Sequence, residues 1–126
     1  MLVPQSSRGG PAFGREVKMA RYMYQVAYTD EAWGELVKKP VDRVEAIKPA
    51  VRKLGGKIET DYFTFGDYDL MLIASMPDDV SAAALSIAAS AGGAVKSIKT
   101  TPLMTVREGM RAMRQAKRAG YSPPGA

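Results

Sequence analysis

The residues best suited to chemistry lie around a turn in the middle of the chain. Tyr62, Tyr68 and Asp69 flank the pair Gly66-Asp67. At the mouth of a pocket, Asp69 could accept a proton and a phenol could donate one. The same residue types also have a structural use, because Gly and Asp are favoured in hairpin turns, where an Asp side chain bonds its own backbone. The spacing favours this structural interpretation.

A set of aromatic residues could line a cavity for a flat, apolar ligand, with phenol hydroxyls fixing its orientation. Strand cores and subunit interfaces use the same residue types, and that alternative stays open. The set comprises Tyr22, Tyr24, Tyr28, Trp33, Tyr62 and Phe63. Arg43, just after Pro40, could bind an anionic group near a helix start, or form an ion pair with Asp42, Glu45 or Asp69. The ligand-binding candidates singled out here are Tyr24, Trp33, Arg43, Tyr62, Tyr68 and Asp69.

A basic helix is predicted near the end of the chain. The run from Thr105 to Glu108 is typical of a capping box, so a helix should start there and continue to about Ala119. Four arginines then share one ridge beside an apolar stripe of Val106, Met110 and Met113, through which the helix should pack on the protein. The ridge could bind an anion or an acidic partner, or simply be solvated, and without interleaved aromatics nucleic acid is not expected. Its members are Arg107, Arg111, Arg114 and Arg118.

The residue types that are missing restrict the possible reactions. The chain has no Cys, no His and no Asn. This excludes thiol chemistry, Ser–His and Cys–His pairs, Cys/His zinc sites and a proximal-His haem. We therefore expect neither a metal nor a cofactor, and any proton transfer would fall to carboxylates, phenols, hydroxyls or amines.

Composition indicates one ordinary globular domain. Of 126 residues, 46% are hydrophobic and 25% are charged, and no apolar run approaches the roughly 20 residues of a membrane helix. Residues 1–18 show neither periodicity nor a secretory apolar block, so we expect a flexible leader and a cytoplasmic protein. Residues 19–105 should form the domain, residues 106–120 the basic helix, and residues 121–126 a disordered tail.

Two β-α-β units flanking a hairpin are predicted from the order of the apolar patterns. Strands are expected at about 20–28, 57–65, 68–76 and 94–101, with the hairpin turn at Gly66-Asp67. The first crossover should break near Lys39-Pro40, and each crossover ends in Gly-Gly. The second helix is rich in Ala and should lie close to the sheet. This order is that of a ferredoxin-like α+β fold, a four-stranded antiparallel sheet with both crossovers on one face.

The third strand predicts a homodimer. Leu70, Met71, Leu72 and Ile73 are apolar in succession, so both faces of this strand require burial. The helices cover only one face, and a second copy packed sheet to sheet is the simplest cover for the other.

Several ordered blocks together resemble the GYD family of small bacterial proteins. The blocks are 39–43, 53–57, 62–69 and 76–79, and the turn that corresponds to the family name is Gly66-Asp67-Tyr68-Asp69. The resemblance covers roughly residues 21–104 and implies a ferredoxin-like domain similar to the dimeric α+β-barrel proteins. It brings no catalytic residues to this chain.

Three functions are compatible with these patterns. The first is a homo-oligomeric domain that binds a small, partly aromatic or apolar ligand. The second is a cofactor-independent enzyme of the oxygenase or isomerase type, in which a Tyr or Asp moves a proton. The third is an assembly module that uses only the sheet face and the arginine ridge.

Overall fold

A computed structural model describes residues 18–125, so the predicted leader lies, apart from Lys18, outside the described residues. Four strands and four helices are present in this part of the chain. The strands are β1 (Ala20–Tyr28), β2 (Lys57–Phe63), β3 (Leu70–Met76) and β4 (Val95–Leu103). The helices are α1 (Asp30–Lys38), α2 (Arg43–Lys53), α3 (Asp79–Ala91) and α4 (Val106–Ala119).

The four strands form one antiparallel sheet in the order β2-β3-β1-β4. Two β-α-β crossovers flank the β2–β3 hairpin, which confirms the ferredoxin-like α+β fold predicted from the sequence. Because β1 and β3 occupy the centre, their side chains supply most of the core, whereas β2 and β4 are edges.

The first crossover is divided in two, as the sequence predicts. Helix α1 begins after Thr29, whose hydroxyl accepts from the backbone N–H of Ala32 at 3.1 Å. It ends before Pro40, and Asp42 then caps α2 by accepting from the N–H groups of Val44 and Glu45. These caps satisfy N–H groups that a helix cannot pair internally. The break therefore determines where α2 begins, and it places Arg43 at the first position of that helix.

The hairpin differs from its prediction. Strand β2 ends at Phe63 and β3 begins at Leu70, so a six-residue loop, 64–69, replaces the two-residue turn. The loop is closed by a backbone hydrogen bond from the Thr64 N–H to the Asp69 carbonyl, at 2.9 Å. The Thr64 hydroxyl also donates to the Tyr68 carbonyl at 2.7 Å. The backbone bond continues the register of the Phe63–Leu70 pair, so residues 65–68 are left to connect the two strands.

The core lies between the sheet and helices α2 and α3. Alternate side chains of β1 and β3 point toward the helices, which place four buried residues against them. The helix residues are Val44, Val51, Ala82 and Leu85. This layer has two ends. The Tyr22 end contains the start of β1 and the end of β3, and the Tyr28 end contains the end of β1 and the start of β4.

The opposite face of the sheet has no helix over it within residues 18–125. Met23 is paired with Ile73, and Gln25 with Met71, so these four side chains share that face. They are half-buried. The pattern of β3 is therefore as predicted, with Leu70 and Leu72 under the helices and the intervening residues on the uncovered face.

Candidate functional site

A cavity of about 250 Å³ lies between the sheet and helices α2 and α3, toward the Tyr28 end. Small residues on α3 are its cause, since Ala88, Ala89 and Gly92 fill less space than the buried Leu85 one to two turns earlier. The Ala-rich helix still reaches the sheet at Ser86, whose hydroxyl hydrogen-bonds that of Thr100 on β4, and the space lies beside the small residues that follow. The lining residues are mainly apolar: Tyr24, Val26, Tyr28, Arg43, Ala46, Ile47, Ala50, Leu70, Leu72, Leu85, Ala88, Ala89, Gly92, Ala94, Val95 and Ile98.

Three tyrosines of β1 project from the same side of the strand, and their hydroxyls differ in their partners. The Tyr22 hydroxyl donates to the Asp79 carboxylate, and the Tyr24 hydroxyl donates to the Ala82 carbonyl at 2.9 Å. No residue in the range 18–125 hydrogen-bonds the hydroxyl of Tyr28. Tyr28 is only 6% exposed and lines the cavity. A buried hydroxyl without a partner has a desolvation cost, so a polar atom of a ligand would be favoured there.

The pKa values of these tyrosines follow their surroundings. The hydrogen bond to Asp79, with burial, raises the pKa of Tyr22 to about 12, and burial raises that of Tyr24 to about 12. Burial also raises the pKa of Tyr28; Arg43 opposes this increase, whereas Asp69 and Asp42 add to it. Tyr28 is therefore a neutral phenol near pH 7, which can donate a hydrogen bond but is a poor base.

Arg43 lies at the rim of the cavity. It is the first residue of α2, it is exposed, and it forms no salt bridge with Asp42, Glu45 or Asp69. The predicted ion pair is therefore wrong. The carboxylate of Asp42 instead caps the backbone of α2, which leaves the guanidinium free of a carboxylate partner among residues 18–125.

The carboxylate of Asp69 has a structural role, because it hydrogen-bonds neighbouring protein groups. One of its oxygens, Oδ2, accepts from the backbone N–H of Tyr28 at 2.9 Å and from the indole Nε1 of Trp33 at 3.2 Å. Trp33 also meets the ring of Tyr28 edge-on, with ring centroids 5.6 Å apart. Asp69 and Trp33 thus fix the backbone and ring of Tyr28 without lining the cavity themselves.

The other two predicted residues of the turn are placed elsewhere. Tyr62 is paired with Met71 across the hairpin, on the uncovered sheet face, and is 63% exposed. Tyr68 contributes its carbonyl to the loop closure described above. Of the six ligand-binding candidates, the cavity therefore brings together Tyr24 and Arg43. Tyr28 also lines the cavity; it belongs to the predicted aromatic set but not to the six candidates, and its signal was its position on the Tyr22–Tyr24 side of β1.

Helix α4 forms with the predicted capping box. The hydroxyl of Thr105 accepts from the N–H of Glu108, and the carboxylate of Glu108 accepts from the N–H of Thr105. These bonds lower the pKa of Glu108. The four arginines, Arg107, Arg111, Arg114 and Arg118, are all exposed.

The predicted docking of α4 through its apolar stripe is wrong for the described chain. No residue of α4 is buried, and Val106 and Met113 are 84% and 71% exposed. The helix begins beyond the end of an edge strand, and only its first turn, at Glu108, lies beside the start of β1.

Within residues 18–125, no three carboxylates come together as metal ligands would. None of the helices in this range has the length and apolar character needed to cross a bilayer.

Comparison with known proteins assigns a family. The family model described as "GYD domain" matches residues 22–113. A search of curated proteins finds no match. The crystal structure of MtbAldR is similar with a TM-score of 0.51 and 16% identity over 69% of this chain, which shows similarity of fold alone. The chain spans 54% of the length of MtbAldR.

A second structure is that of a protein of unknown function from Nitrosomonas europaea. It has a TM-score of 0.41 and 13% identity, and the alignment covers 71% of this chain and 92% of that one. We draw nothing from so low a structural similarity.

Proposed function

The chain belongs to the GYD domain family, and from this premise we propose that it binds a small, largely apolar ligand in the cavity between the sheet and helices α2 and α3. The observation that carries the proposal is the unpartnered hydroxyl of Tyr28, which together with Arg43 interrupts a mainly apolar lining. An empty cavity formed by a packing defect is normally lined by apolar groups only. A few polar groups in an apolar wall are instead characteristic of ligand sites.

The volume of the cavity limits the size of the ligand. A cavity of about 150 Å³ accommodates benzene, so the 250 Å³ found here corresponds to roughly ten non-hydrogen atoms. Leu72, Leu85 and Ile98 would contact the flat or branched body of such a molecule.

Binding is a better interpretation than proton-transfer catalysis. No carboxylate is among the described residues that line the cavity, and the one unpartnered phenol has a raised pKa. The acid–base pair considered from the sequence, Tyr62 and Asp69, is divided between the uncovered sheet face and the backbone of Tyr28.

The proposal can be tested with naphthalene and 1-naphthol as probes. In wild type, both should shift the methyl NMR signals of Leu72, Leu85 and Ile98. The variant Ala89→Phe, which places a ring in the cavity, should weaken both probes at least about ten-fold, the equivalent of about 1.4 kcal/mol. Ala83→Phe is the matched control, because Ala83 is exposed on the same helix and does not line the cavity. Equal binding by the two variants would reject the site.

We also propose that the uncovered sheet face packs against a second copy of the chain. Met23, Met71 and Ile73 form its apolar centre on adjoining strands. At the rim, Arg21 and Glu59 form an ion pair with 3.7 Å between Nε and Oε2, so both signs of charge are present. A face with an apolar centre and both charges at its rim can be self-complementary about a two-fold axis.

Light scattering tests this assembly. Wild type should have the mass of a dimer at micromolar concentration, and Met71→Glu should have that of a monomer, because the new carboxylate would be buried without a partner. The control Ile87→Glu changes an apolar residue that is 68% exposed on α3, on the other side of the molecule. A monomeric wild type would eliminate the dimer.

A second candidate function, the binding of an acidic partner protein, is favoured by α4. Its four arginines and its unburied Met side chains form one exposed surface. Retention on a polyanion column should fall steeply with salt and should be lost in an Arg111→Glu, Arg114→Glu variant. Unchanged retention would rule out the ridge as an anion site.

A further inference from the structure

The polar groups of the cavity are concentrated at its Tyr28 end. Tyr28 and the exposed Arg43 both line this end, and although burial raises the pKa of the Tyr28 phenol, the charge of Arg43 is near enough to lower it. Both are hydrogen-bond donors at neutral pH, since the phenol is protonated and the guanidinium is always charged. Since the guanidinium can only donate and the phenol can donate, a ligand group that accepts hydrogen bonds suits this end.

The carboxylates nearest this end are already engaged. Asp42 accepts from two backbone N–H groups at the start of α2, through its Oδ1 atom, at 2.9 Å and 3.2 Å. Asp69 accepts from the Tyr28 N–H and from the indole of Trp33. Neither forms a salt bridge with Arg43. The one cationic side chain of the lining thus has its charge available for a ligand.

We propose that the ligand is a small apolar molecule that ends in a carboxylate. Its apolar body would lie between the sheet and helices α2 and α3, and its carboxylate would accept hydrogen bonds from the Tyr28 hydroxyl and the Arg43 guanidinium. This inference rests on the proposed function and adds the chemical class of the ligand.

A planar carboxylate suits these donors. A guanidinium can bond both oxygens of a carboxylate in one plane, and a hydrogen bond that involves a charged group is roughly twice as strong as a neutral one. Within the limit of roughly ten non-hydrogen atoms set by the cavity volume, aryl-alkanoic and medium-chain alkanoic acids fit.

The test compares acids with their neutral amides, which have nearly the same shape. The probes are 3-phenylpropanoate with 3-phenylpropanamide, and octanoate with octanamide, measured by calorimetry or by methyl NMR shifts. Wild type should bind each acid at least about ten-fold more tightly than its amide, as expected for a charge-assisted hydrogen bond. Arg43→Gln should reduce this preference to less than about three-fold and leave amide affinity unchanged.

Two further variants separate charge from hydrogen bonding. Tyr28→Phe should weaken acid and amide alike by about three- to ten-fold, because both accept the phenol hydrogen bond. Arg52→Gln is the matched control for Arg43→Gln, since Arg52 is exposed in the last turn of the same helix and does not line the cavity. It should leave every affinity at the wild-type value.

The outcomes distinguish the two proposals. If acids and amides bind wild type equally well, and Ala89→Phe weakens both, the cavity is a ligand site but the carboxylate inference is wrong. If neither class binds, or if Ala89→Phe has no effect, the proposed function itself fails. A preference for acids that persists in Arg43→Gln would also overturn the inference, since the charge would then be recognised elsewhere.

Discussion

The two ends of the helix–sheet layer contain the same Gly-Gly pair in very different surroundings. At the Tyr22 end, a Cβ atom on Gly56 would lie 2.3 Å from the Met76 sulfur and 2.7 Å from the Ser75 carbonyl oxygen. At the Tyr28 end, the nearest such contact of Gly92 is at 3.5 Å, and Gly93 has none within 4 Å. The first pair packs tightly against β3 and the residue that follows it, whereas the second lies beside the cavity.

The same contrast extends to the tyrosines of β1. The hydroxyl of Tyr22 has a carboxylate partner in Asp79, and the hydroxyl of Tyr28 has no partner among the described residues. At the Tyr22 end the core is filled and the tyrosine hydroxyl is hydrogen-bonded. At the Tyr28 end there is unfilled space and the tyrosine hydroxyl has no hydrogen-bond partner among the described residues. This difference is what the ligand site proposed at the Tyr28 end requires.

The largest expected difference between the ends concerns the glycines. Gly56→Ala should destabilise the fold by about 3 kcal/mol, since the added methyl overlaps the fully buried Met76 and rigid backbone. Gly92→Ala should change stability by less than about 0.5 kcal/mol, because Gly92 has an ordinary helical φ of −72°. Urea unfolding measures both. Similar losses in the two variants would contradict the idea of one tight and one loose end.

Larger side chains introduced at the two ends should have the next largest effect on the free energy of unfolding. Ala74 is fully buried on β3, and Ala74→Val should cost about 2 kcal/mol because its surroundings are filled. Ala89→Leu adds more atoms but directs them into the cavity, so its cost should be below about 0.5 kcal/mol. Thermal or urea denaturation of the two variants would show whether the cavity is real space in solution. A large loss in Ala89→Leu would indicate that it is not.

Removal of the two hydroxyls should have a smaller effect. Tyr22→Phe leaves the Asp79 carboxylate without its donor and should cost about 1.5 kcal/mol. Tyr28→Phe removes a buried hydroxyl that has no partner, so its stability should be equal to or slightly above that of wild type. A loss in Tyr28→Phe as large as that in Tyr22→Phe would imply that Tyr28 does have a partner, and the site would lose its main support.

Most of the fold could be predicted from the sequence, because its signals are local. The break before Pro40, the Gly-Gly ends of the two crossovers and the capping box at Thr105 each follow from a few neighbouring residues. The hairpin itself was predicted, but its loop is six residues long instead of two. The length of the loop depends on backbone geometry that the residue types alone do not specify.

The site was less predictable, because it depends on what is missing between elements. An Ala-rich helix predicts close approach to the sheet, but whether the opposing side chains fill the gap depends on how far apart the layers are held. The turn residues drew attention by their chemistry, yet Asp69 is used for the backbone of Tyr28. Likewise, the Met stripe of α4 predicts a docked helix only if some surface lies beneath it, and none of residues 18–125 bury it.

The smallest expected effect is a difference in alkaline stability between the tyrosine variants. The folded protein holds the Tyr22 proton to a pKa of about 12, against 10.0 for an ordinary tyrosine. Above pH 10 the unfolded chain loses this proton first, so the folded state binds more protons and stability must fall as pH rises. The stabilising contribution is complete below pH 10 and is lost progressively toward pH 12.

At pH 10.5 the loss from Tyr22 amounts to roughly 1 kcal/mol or less. Wild type should therefore lose more stability between pH 9 and pH 10.5 than Tyr22→Phe, as measured by urea unfolding at each pH. Tyr24 also has a pKa raised to about 12, so some loss should remain in the variant. If wild type and Tyr22→Phe decline in parallel, the bond to Asp79 does not hold the Tyr22 proton. The hydroxyl of Tyr22 would then be no better hydrogen-bonded than the hydroxyl of Tyr28 beside the cavity.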